Sequence, residues 1–193
     1  MVEINEGEEF MKGQLVAIAG LSLSFLMPSV HASDLSGLSV KVEWLFPDSS
    51  TVIGSQDVTV GPGVEISCPG AGSFCAAWAA EIVQYDFGSN SISFVAPNST
   101  GHAFATFNGF RFSGLGAGGP WSSVSLITDI TGLTDSNIEF DGSTLLLNVQ
   151  GLHVPTQGGY TLTLNASPVP LPASIVLLGT ALGGLGYMRK RLS

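Results

Sequence analysis

The chain has 193 residues, of which 45% are hydrophobic and only 11% are charged, and its formal net charge is −9. Between the two chain ends only Lys41 and Arg111 are basic, against eleven acidic residues. A surface so poor in cations cannot neutralise phosphates, so neither nucleic acid nor anionic lipid headgroups are expected as partners. The high apolar content also indicates that part of the chain inserts into a membrane.

The first predicted element is an export signal. The segment MKGQLVAIAGLSLSFLMPSVHAS begins at Met11, continues through the mostly apolar residues 15–27, and predicts cleavage by signal peptidase between Ala32 and Ser33. The ten residues before Met11 are acidic, unlike the positively charged start of such a signal, so translation is expected to begin at Met11. Residues 1–32 are therefore assigned to the signal peptide, and a buried helix of the mature domain is the alternative.

Residues 33–166 are expected to form one all-β domain, an antiparallel β-sandwich or jelly roll. Residues 38–46 alternate between apolar and polar side chains, which is the period of a half-buried strand. Further short apolar runs follow, separated by Gly, Pro, Asn and Asp turn signals, and this pattern is typical of sandwiches. The runs are 51–53, 58–60, 64–66, 80–87, 92–95, 103–112, 123–130, 138–140, 144–149 and 160–164.

Local features refine the prediction for the middle of the chain. Asp141 and Gly142 lie between the runs 138–140 and 144–149 and indicate the clearest hairpin, with a loop that can exceed two residues. The one ambiguous helical stretch is 76–80. A domain of roughly 135 residues is large enough for one hydrophobic core but not for two.

Cys68 and Cys75 are the only cysteines of the chain, and six residues separate them. In an exported chain, such a close pair predicts a disulfide that closes a small loop. Closing so short a loop stabilises the fold by only about 2 to 3 kcal/mol, so the bond is expected to shape the loop. The alternative is a free or metal-bound pair, which would need further ligands.

Other candidate chemistry is sparse. His102 and His153 could form half of a metal or acid–base site if the fold brought their strands together. Their spacing does not argue for this, and His153 alternates with apolar neighbours as in a strand. The sequence has no Gly-x-Ser-x-Gly nucleophile motif, so no catalytic residue is predicted.

An acidic cluster in the second half of the chain offers oxygen ligands of the kind that calcium takes. EF-hand spacing is absent, and acidic residues at solvent-facing strand and turn positions are the ordinary explanation. No metal site is therefore predicted, and calcium binding is the alternative. The cluster consists of Asp129, Asp135, Asn137, Glu139 and Asp141.

Trp44, Trp78 and Trp121 could stack on sugar rings if they were exposed. Tryptophans at alternating strand positions more often pack in the core. We therefore predict that these three rings are buried. Trp121 follows Pro120 and a glycine-rich loop at 114–119, so it is the first position at which to look for an exposed ring.

The chain closes with a proline motif, an apolar stretch and a basic cluster. Residues 173–188, together with 169–172, are about long enough as a helix to cross the roughly 30 Å hydrocarbon layer. The basic cluster would stay cytoplasmic, so the domain would face outward. Gly179 and Gly183 have the GxxxG spacing that permits helix dimerisation. The motif is Val169, Pro170, Leu171, Pro172 and Ala173, and the cluster is Arg189, Lys190 and Arg191.

Residues 167–193 resemble the PEP-CTERM sorting signal of Gram-negative bacteria, in the variant that reads Val-Pro-Leu-Pro-Ala. Leu171 stands where the common form has a glutamate, which leaves open the exosortase that would recognise it. The segments WLFPDSSTVIGSQDVTVGPGVEI, FNGFRFSGL and IEFDGSTLLLNVQGL are also similar to parts of small secreted PEP-CTERM proteins. The resemblance implies cleavage by an exosortase near the proline motif and an association with exopolysaccharide and biofilm. An ordinary single-pass anchor is the alternative.

These features predict a non-enzymatic protein without a cofactor that is exported across the inner membrane, anchored transiently by helix 173–188, and then displayed at the cell surface or secreted. Exosortase and signal peptidase are the expected processing partners, and exopolysaccharide is expected as a further partner through the matrix. The sequence does not identify a ligand of the β-domain. The main alternative is a carbohydrate-binding module, which requires two or more aromatic residues in a flat exposed row. A hydrolase is third and requires two carboxylates roughly 5 to 10 Å apart in a cleft.

Overall fold

Alternating apolar residues form twelve strands within residues 33–168, the part of the chain that the computed structural model describes. Helix is almost absent from this part: there is one short α-helix, α1 (Ser73–Ala77), and two 3₁₀ turns at Leu115–Gly118 and Asp135–Asn137. The strands are β1 (Ser39–Leu45), β2 (Val52–Thr59), β3 (Val64–Cys68), β4 (Val83–Phe87), β5 (Ser91–Ala96), β6 (Thr100–Gly101), β7 (Gly109–Ser113), β8 (Trp121–Thr128), β9 (Ile138–Phe140), β10 (Leu145–Asn148), β11 (His153–Val154) and β12 (Gly158–Ala166).

The strands form two five-stranded antiparallel sheets and a short ribbon. Sheet I has the order β2-β1-β7-β10-β9, and sheet II has the order β3-β4-β5-β12-β8. The ribbon pairs β11 with β6. The prediction of an all-β, antiparallel fold is confirmed, and the arrangement fits a β-sandwich.

Aromatic side chains join the two sheets. Phe110 of β7 is fully buried, and its ring centroid lies 5.8 Å from that of Tyr85 and 6.5 Å from that of Phe94, which are both on sheet II. Phe112 lies 6.2 Å from Phe87 of the opposite sheet. Burying rings of this size supplies most of the stabilising area of such a domain, so the sheets share one core.

The strand bounds correct the predicted pattern at several places. The run 80–87 becomes a strand only at Val83. The runs 51–53 and 58–60 belong to the single strand β2. Leu45 alternates in sequence with the inward-facing Trp44 yet is fully buried, at a point where the pairing of β1 with β2 shifts register. The run 103–112 becomes a strand only at Gly109.

Hydrogen bonds explain why that last strand begins late. Asn108 Nδ2 donates to the carbonyl oxygen of Ala103 at 3.0 Å, and the Gly151 N–H reaches the same oxygen at 3.4 Å. These bonds hold 103–108 as a loop. The ambiguous helix also begins earlier than expected, since α1 covers Ser73–Ala77 rather than 76–80.

The predicted hairpin at Asp141 and Gly142 is present. Phe140 pairs with Leu145, so the loop contains residues 141–144 and is longer than two residues, as the sequence allowed. Several sequence predictions lie outside the described residues: the signal peptide at 1–32, the sorting motif at 169–173, the helix at 173–188 and the basic cluster that follows it. No helix within 33–168 is long and apolar enough to cross a membrane.

Candidate binding face of the second sheet

The outer face of sheet II carries short polar side chains on the neighbouring strands β5, β12 and β8. On β12, Tyr160, Leu162 and Leu164 are buried, and successive residues of a strand point to opposite sides. The residues between them therefore point outward, and pairing places them in rows with outward residues of β5 and β8. We call this set the hydroxyl face: Ser91, Ser93, Ser123, Ser125, Thr161, Thr163 and Asn165.

Hydrogen bonds between these side chains pre-arrange the hydroxyl face. The Ser93 and Thr161 hydroxyl oxygens lie 3.1 Å apart across two strands. Asn165 Nδ2 donates to Ser123 Oγ at 3.2 Å and to Ser125 Oγ at 2.9 Å. A hydroxyl has one donor and two lone pairs, so each group keeps capacity for a ligand.

The three strands that carry the hydroxyl face contain no formal charge. No Asp, Glu, Lys or Arg occurs in 87–110, 112–128 or 142–168, and these ranges contain the whole of β5, β8 and β12. The described residues nevertheless include eleven acidic side chains. Charge lies at the borders of the face instead, where the exposed Asp86 of β4 pairs with Ser93 and Asp129 follows the end of β8.

The outer face of sheet I shows the opposite arrangement. Glu43 is only 7% exposed, and its carboxylate binds both cations of the described residues, Arg111 and, at 3.5 Å, Lys41. The hydrogen bond from Arg111 holds the pKa of Glu43 below its usual value. Since one carboxylate engages both of these cations, the other ten acids within 33–168 form no ion pair with a described cation. The described surface therefore repels anionic polymers.

Gly159 leaves a shallow depression of about 360 Å³ at one end of the hydroxyl face. A Cβ atom at this position would collide with the carbonyl oxygen of Phe94, so the close approach of β12 to β5 excludes any side chain. Val95 and Ile127 flank the depression and are 37% and 73% exposed. Asp129 Oδ1 accepts the Gly159 N–H at 2.8 Å. The depression thus combines apolar walls with one carboxylate at its rim.

Cys68 and Cys75 form the predicted disulfide, with their Cα atoms 5.1 Å apart. The bond links the end of β3 to α1. Ser73 then fastens α1 to β2, because its Oγ accepts the Ser55 N–H at 3.1 Å and donates to the Ser55 carbonyl at 2.9 Å. The pair is therefore structural, and the alternatives of free or metal-bound thiols are not realised.

The two histidines lie close in the topology but point to opposite sides. Their segments pair in the β6–β11 ribbon, where the His102 N–H donates to the Leu152 carbonyl. His102 is 7% exposed and packs edge-on against Trp44 and Trp78, and burial lowers its pKa to about 4. His153 is exposed, with Nε2 3.3 Å from Ser99 Oγ. The structure does not join them in one site.

The acidic residues of the predicted cluster are not gathered into one group. No group of three or more His, Cys, Asp or Glu side chains within 33–168 lies close enough to hold a metal ion. Asp141 Oδ1 instead accepts the N–H groups of Ser143 and Thr144, and these bonds lower its pKa. Asn137 caps a 3₁₀ turn with Thr134. These side chains build turns.

The tryptophans do not form an exposed row. Trp78 and Trp121 are 3% and 6% exposed, Trp44 is half-buried, and Trp121 Nε1 donates to the Leu115 carbonyl at 2.8 Å. Phe104 is the single strongly exposed aromatic residue in the described part of the chain, at 84%.

No family model, curated protein or solved structure matches the chain. Function is therefore inferred from the geometry of the domain. The sequence did not predict the hydroxyl face, because Ser and Thr side chains carry a weaker chemical signal than Cys, His, Trp or acidic residues. The available signal was the alternation of Ser or Thr in runs without charge, at 91–93, 123–125 and 161–163.

Proposed function

We propose that the protein is an exported, non-enzymatic component of an extracellular polysaccharide matrix, sorted by an exosortase through its PEP-CTERM-like tail. The β-domain binds a neutral polysaccharide through the hydroxyl face, with the depression at Gly159 as one subsite. The observation that carries the proposal is a pre-arranged row of hydroxyls across three strands that contain no charged residue.

The disulfide supports the export half of the proposal. Bonds of this kind persist in oxidising compartments and are rare in a reducing cytosol. The chain has two cysteines, and both are used in this bond. A folded domain that depends on this link for the placement of α1 is suited to the periplasm or the exterior, in agreement with the signal peptide predicted at 1–32.

Ligand chemistry follows from the composition of the face. Ser and Thr hydroxyls match the donors and acceptors of sugar hydroxyls, and short side chains lose little conformational entropy when they are immobilised. Each neutral hydrogen bond contributes only about 0.5 to 1.5 kcal/mol. Useful affinity therefore needs many contacts at once, which a long polymer lying across β5, β12 and β8 can make and a single sugar cannot.

The depression adds apolar contact to these hydrogen bonds. Sugar rings present C–H groups on their faces, and Val95 and Ile127 offer exposed methyl groups beside the open space over Gly159. Asp129 is the one carboxylate lining this space. Because ten acids of the described surface form no ion pair with a described cation, the bound polymer is expected to be neutral rather than acidic.

Substitutions in the proline motif test the proposed sorting by an exosortase. Pro170 and Pro172 keep the segment before the membrane extended and unable to pair as a strand, which presents it to a protease. In a host with an exosortase, replacing both by alanine should leave the protein in the membrane fraction on immunoblots. Release equal to that of the parent would refute the exosortase assignment.

A charge placed on the hydroxyl face tests the proposed binding of polysaccharide. Thr161→Glu should lower co-sedimentation of the full chain with insoluble neutral polysaccharide at least about threefold, because burying an unpaired carboxylate against sugar is costly. Thr59→Glu makes the same change on the exposed side of β2 in sheet I and should bind like the parent. Equal binding by both variants would refute the assignment of the face.

Phe104 favours a second candidate, a carbohydrate-binding module of the stacking type. At 84% exposure its ring is available to a sugar face, although no second exposed aromatic residue accompanies it within 33–168. Phe104→Ala in the same sedimentation assay separates the candidates. Loss of binding in this variant, with Thr161→Glu unaffected, would favour stacking over the hydroxyl face.

A further inference from the structure

Three of the four edge strands of the two sheets are protected against pairing with another chain. The backbone of β2 is covered at Ser55 by Ser73 of α1. β9 has three residues, including Glu139. β3 carries Glu65 and a register irregularity, and it ends at Cys68 next to a proline. Short length, charge, irregularity and cover are the usual ways in which proteins prevent association between edges.

The fourth edge, β8, has none of these protections. It is eight residues long and contains no charged residue and no proline. On one side β8 pairs with β12. The register of this pair is regular except at the C-terminal end of β12, where it shifts between Asn165 and Ala166. No described strand lies on its other side.

The direction of the free backbone groups follows from β12. The Leu164 N–H bonds to the Asn90 carbonyl, on the β5 side of the strand. Thr161 and Thr163 therefore direct their backbone groups toward β8, where they pair with Ile127 and Ser125. The alternate residues of β8 then direct their N–H and C=O groups outward. These are Ser122, Val124, Leu126 and Thr128.

Side chains along this edge are also suited to a second strand. Val124 and Leu126 pack against the core but are only half-buried, so a neighbouring strand would bury more of both side chains. Ile127 is 73% exposed. Elsewhere the described surface has an excess of acids, so two copies repel each other at most orientations, whereas β8 brings no charge to a contact.

We propose that β8 pairs antiparallel with β8 of a second copy of this chain, which joins the two second sheets into one. In the register that uses all four outward-directed residues, Val124 pairs with Leu126 of the other copy and Ser122 with Thr128. These pairs exchange about eight backbone hydrogen bonds. Ser125 then lies opposite its own counterpart, at a position where the Cα atoms of facing residues are about 4.5 Å apart.

A second copy suits the edge better than the chain's own tail does. Pro168, Pro170 and Pro172 follow β12 closely in sequence, and proline cannot donate to a ladder. An isologous contact between identical strands is also self-consistent, because each residue makes the same contact in both copies. The inference does not depend on the proposed ligand, although such a dimer would double the area of the hydroxyl face.

Disulfide trapping tests the register directly. The parent has no free cysteine among its described residues, so a single new thiol reports on its own position. The full chain carrying Ser125→Cys, exported to an oxidising periplasm, should run as a reducible dimer on gels. Thr163→Cys is the matched control, one strand further in on the same face. It should cross-link at least about tenfold less, and equal cross-linking of the two variants, or none at Ser125→Cys, would overturn the proposal.

A charge exchange at the same position guards against a folding artefact. In detergent extracts of the full chain, Ser125→Lys alone and Ser125→Glu alone should both sediment as monomers under conditions in which the parent is a dimer, because like charges face each other. Mixing the two variants should restore the dimer. A dimer that survives in each variant alone would overturn the proposal and point instead to the tail, where Gly179 and Gly183 lie. A monomeric parent would overturn it as well.

Discussion

The two sheets have similar inner faces and different outer faces. Both contribute buried aromatic and aliphatic residues to one core, such as Phe110 from sheet I and Phe94 from sheet II. On the outside, sheet I gathers both described cations around Glu43, whereas β5, β12 and β8 of sheet II display hydroxyls and no charge. Because the shared core requires neither arrangement, the difference indicates that the two faces meet different surroundings.

The largest effect on stability is expected in the core that the two sheets share. Phe110→Ala should lower the free energy of unfolding by about 3 to 5 kcal/mol, because a fully buried ring is replaced by a cavity. Unfolding should remain one cooperative transition by calorimetry and circular dichroism. Phe104→Ala is the matched control and should change stability by no more than about 0.5 kcal/mol, since its ring is 84% exposed. Two separate transitions in the parent would contradict a shared core.

The core should make the fold sensitive to acid through His102. An unfolded chain protonates His102 near its usual pKa of 6.5, whereas the folded chain does so only near 4, so the domain should lose stability as the pH falls from about 6.5 to about 4. The loss is about 3 kcal/mol on this account. His102→Phe should flatten the curve in that window, as measured by urea denaturation at a series of pH values. An unchanged slope would show that His102 is not buried in neutral form.

A smaller effect is expected when the outer faces themselves are changed. Glu43→Gln removes the carboxylate that binds Arg111 and Lys41, and it should destabilise the fold by about 1 to 3 kcal/mol because a partly buried charge network is broken. Thr163→Val on the hydroxyl face should stay within about 0.5 kcal/mol, since a β-branched residue is retained on a half-exposed strand. Chemical denaturation measures both. Equal losses would mean that the hydroxyl face serves the fold rather than a ligand.

Local patterns predicted the local structure well. Alternation located most strands, the Asp141-Gly142 signal located the hairpin, and the short cysteine spacing predicted the disulfide. Each of these depends on neighbours within a few residues, where hydrophobic period and turn chemistry dominate. The burial of Leu45 was not predictable, since it depends on contacts with segments distant in sequence.

The candidate site was harder to predict because it is assembled from distant segments. Ser93 and Thr161 are 68 residues apart in the chain and meet only through the pairing of β5 with β12. Strand order is a tertiary property, and no single run of the sequence contains it. The same holds for the edge position of β8, which is internal in sequence but lies at the border of its sheet.

The most direct test of the central claim is a residue-resolved NMR titration of the exported, processed protein with a soluble neutral oligosaccharide. We expect amide shifts to change mainly on β5, β12 and β8, with the largest changes around Gly159 and Thr161, and we expect the affinity to rise with oligosaccharide length. Binding should also depend little on salt, because a neutral ligand forms no ion pair with Asp129 at the rim of the depression. Shifts confined to sheet I around Glu43 or to the loop around Phe104 would contradict the account.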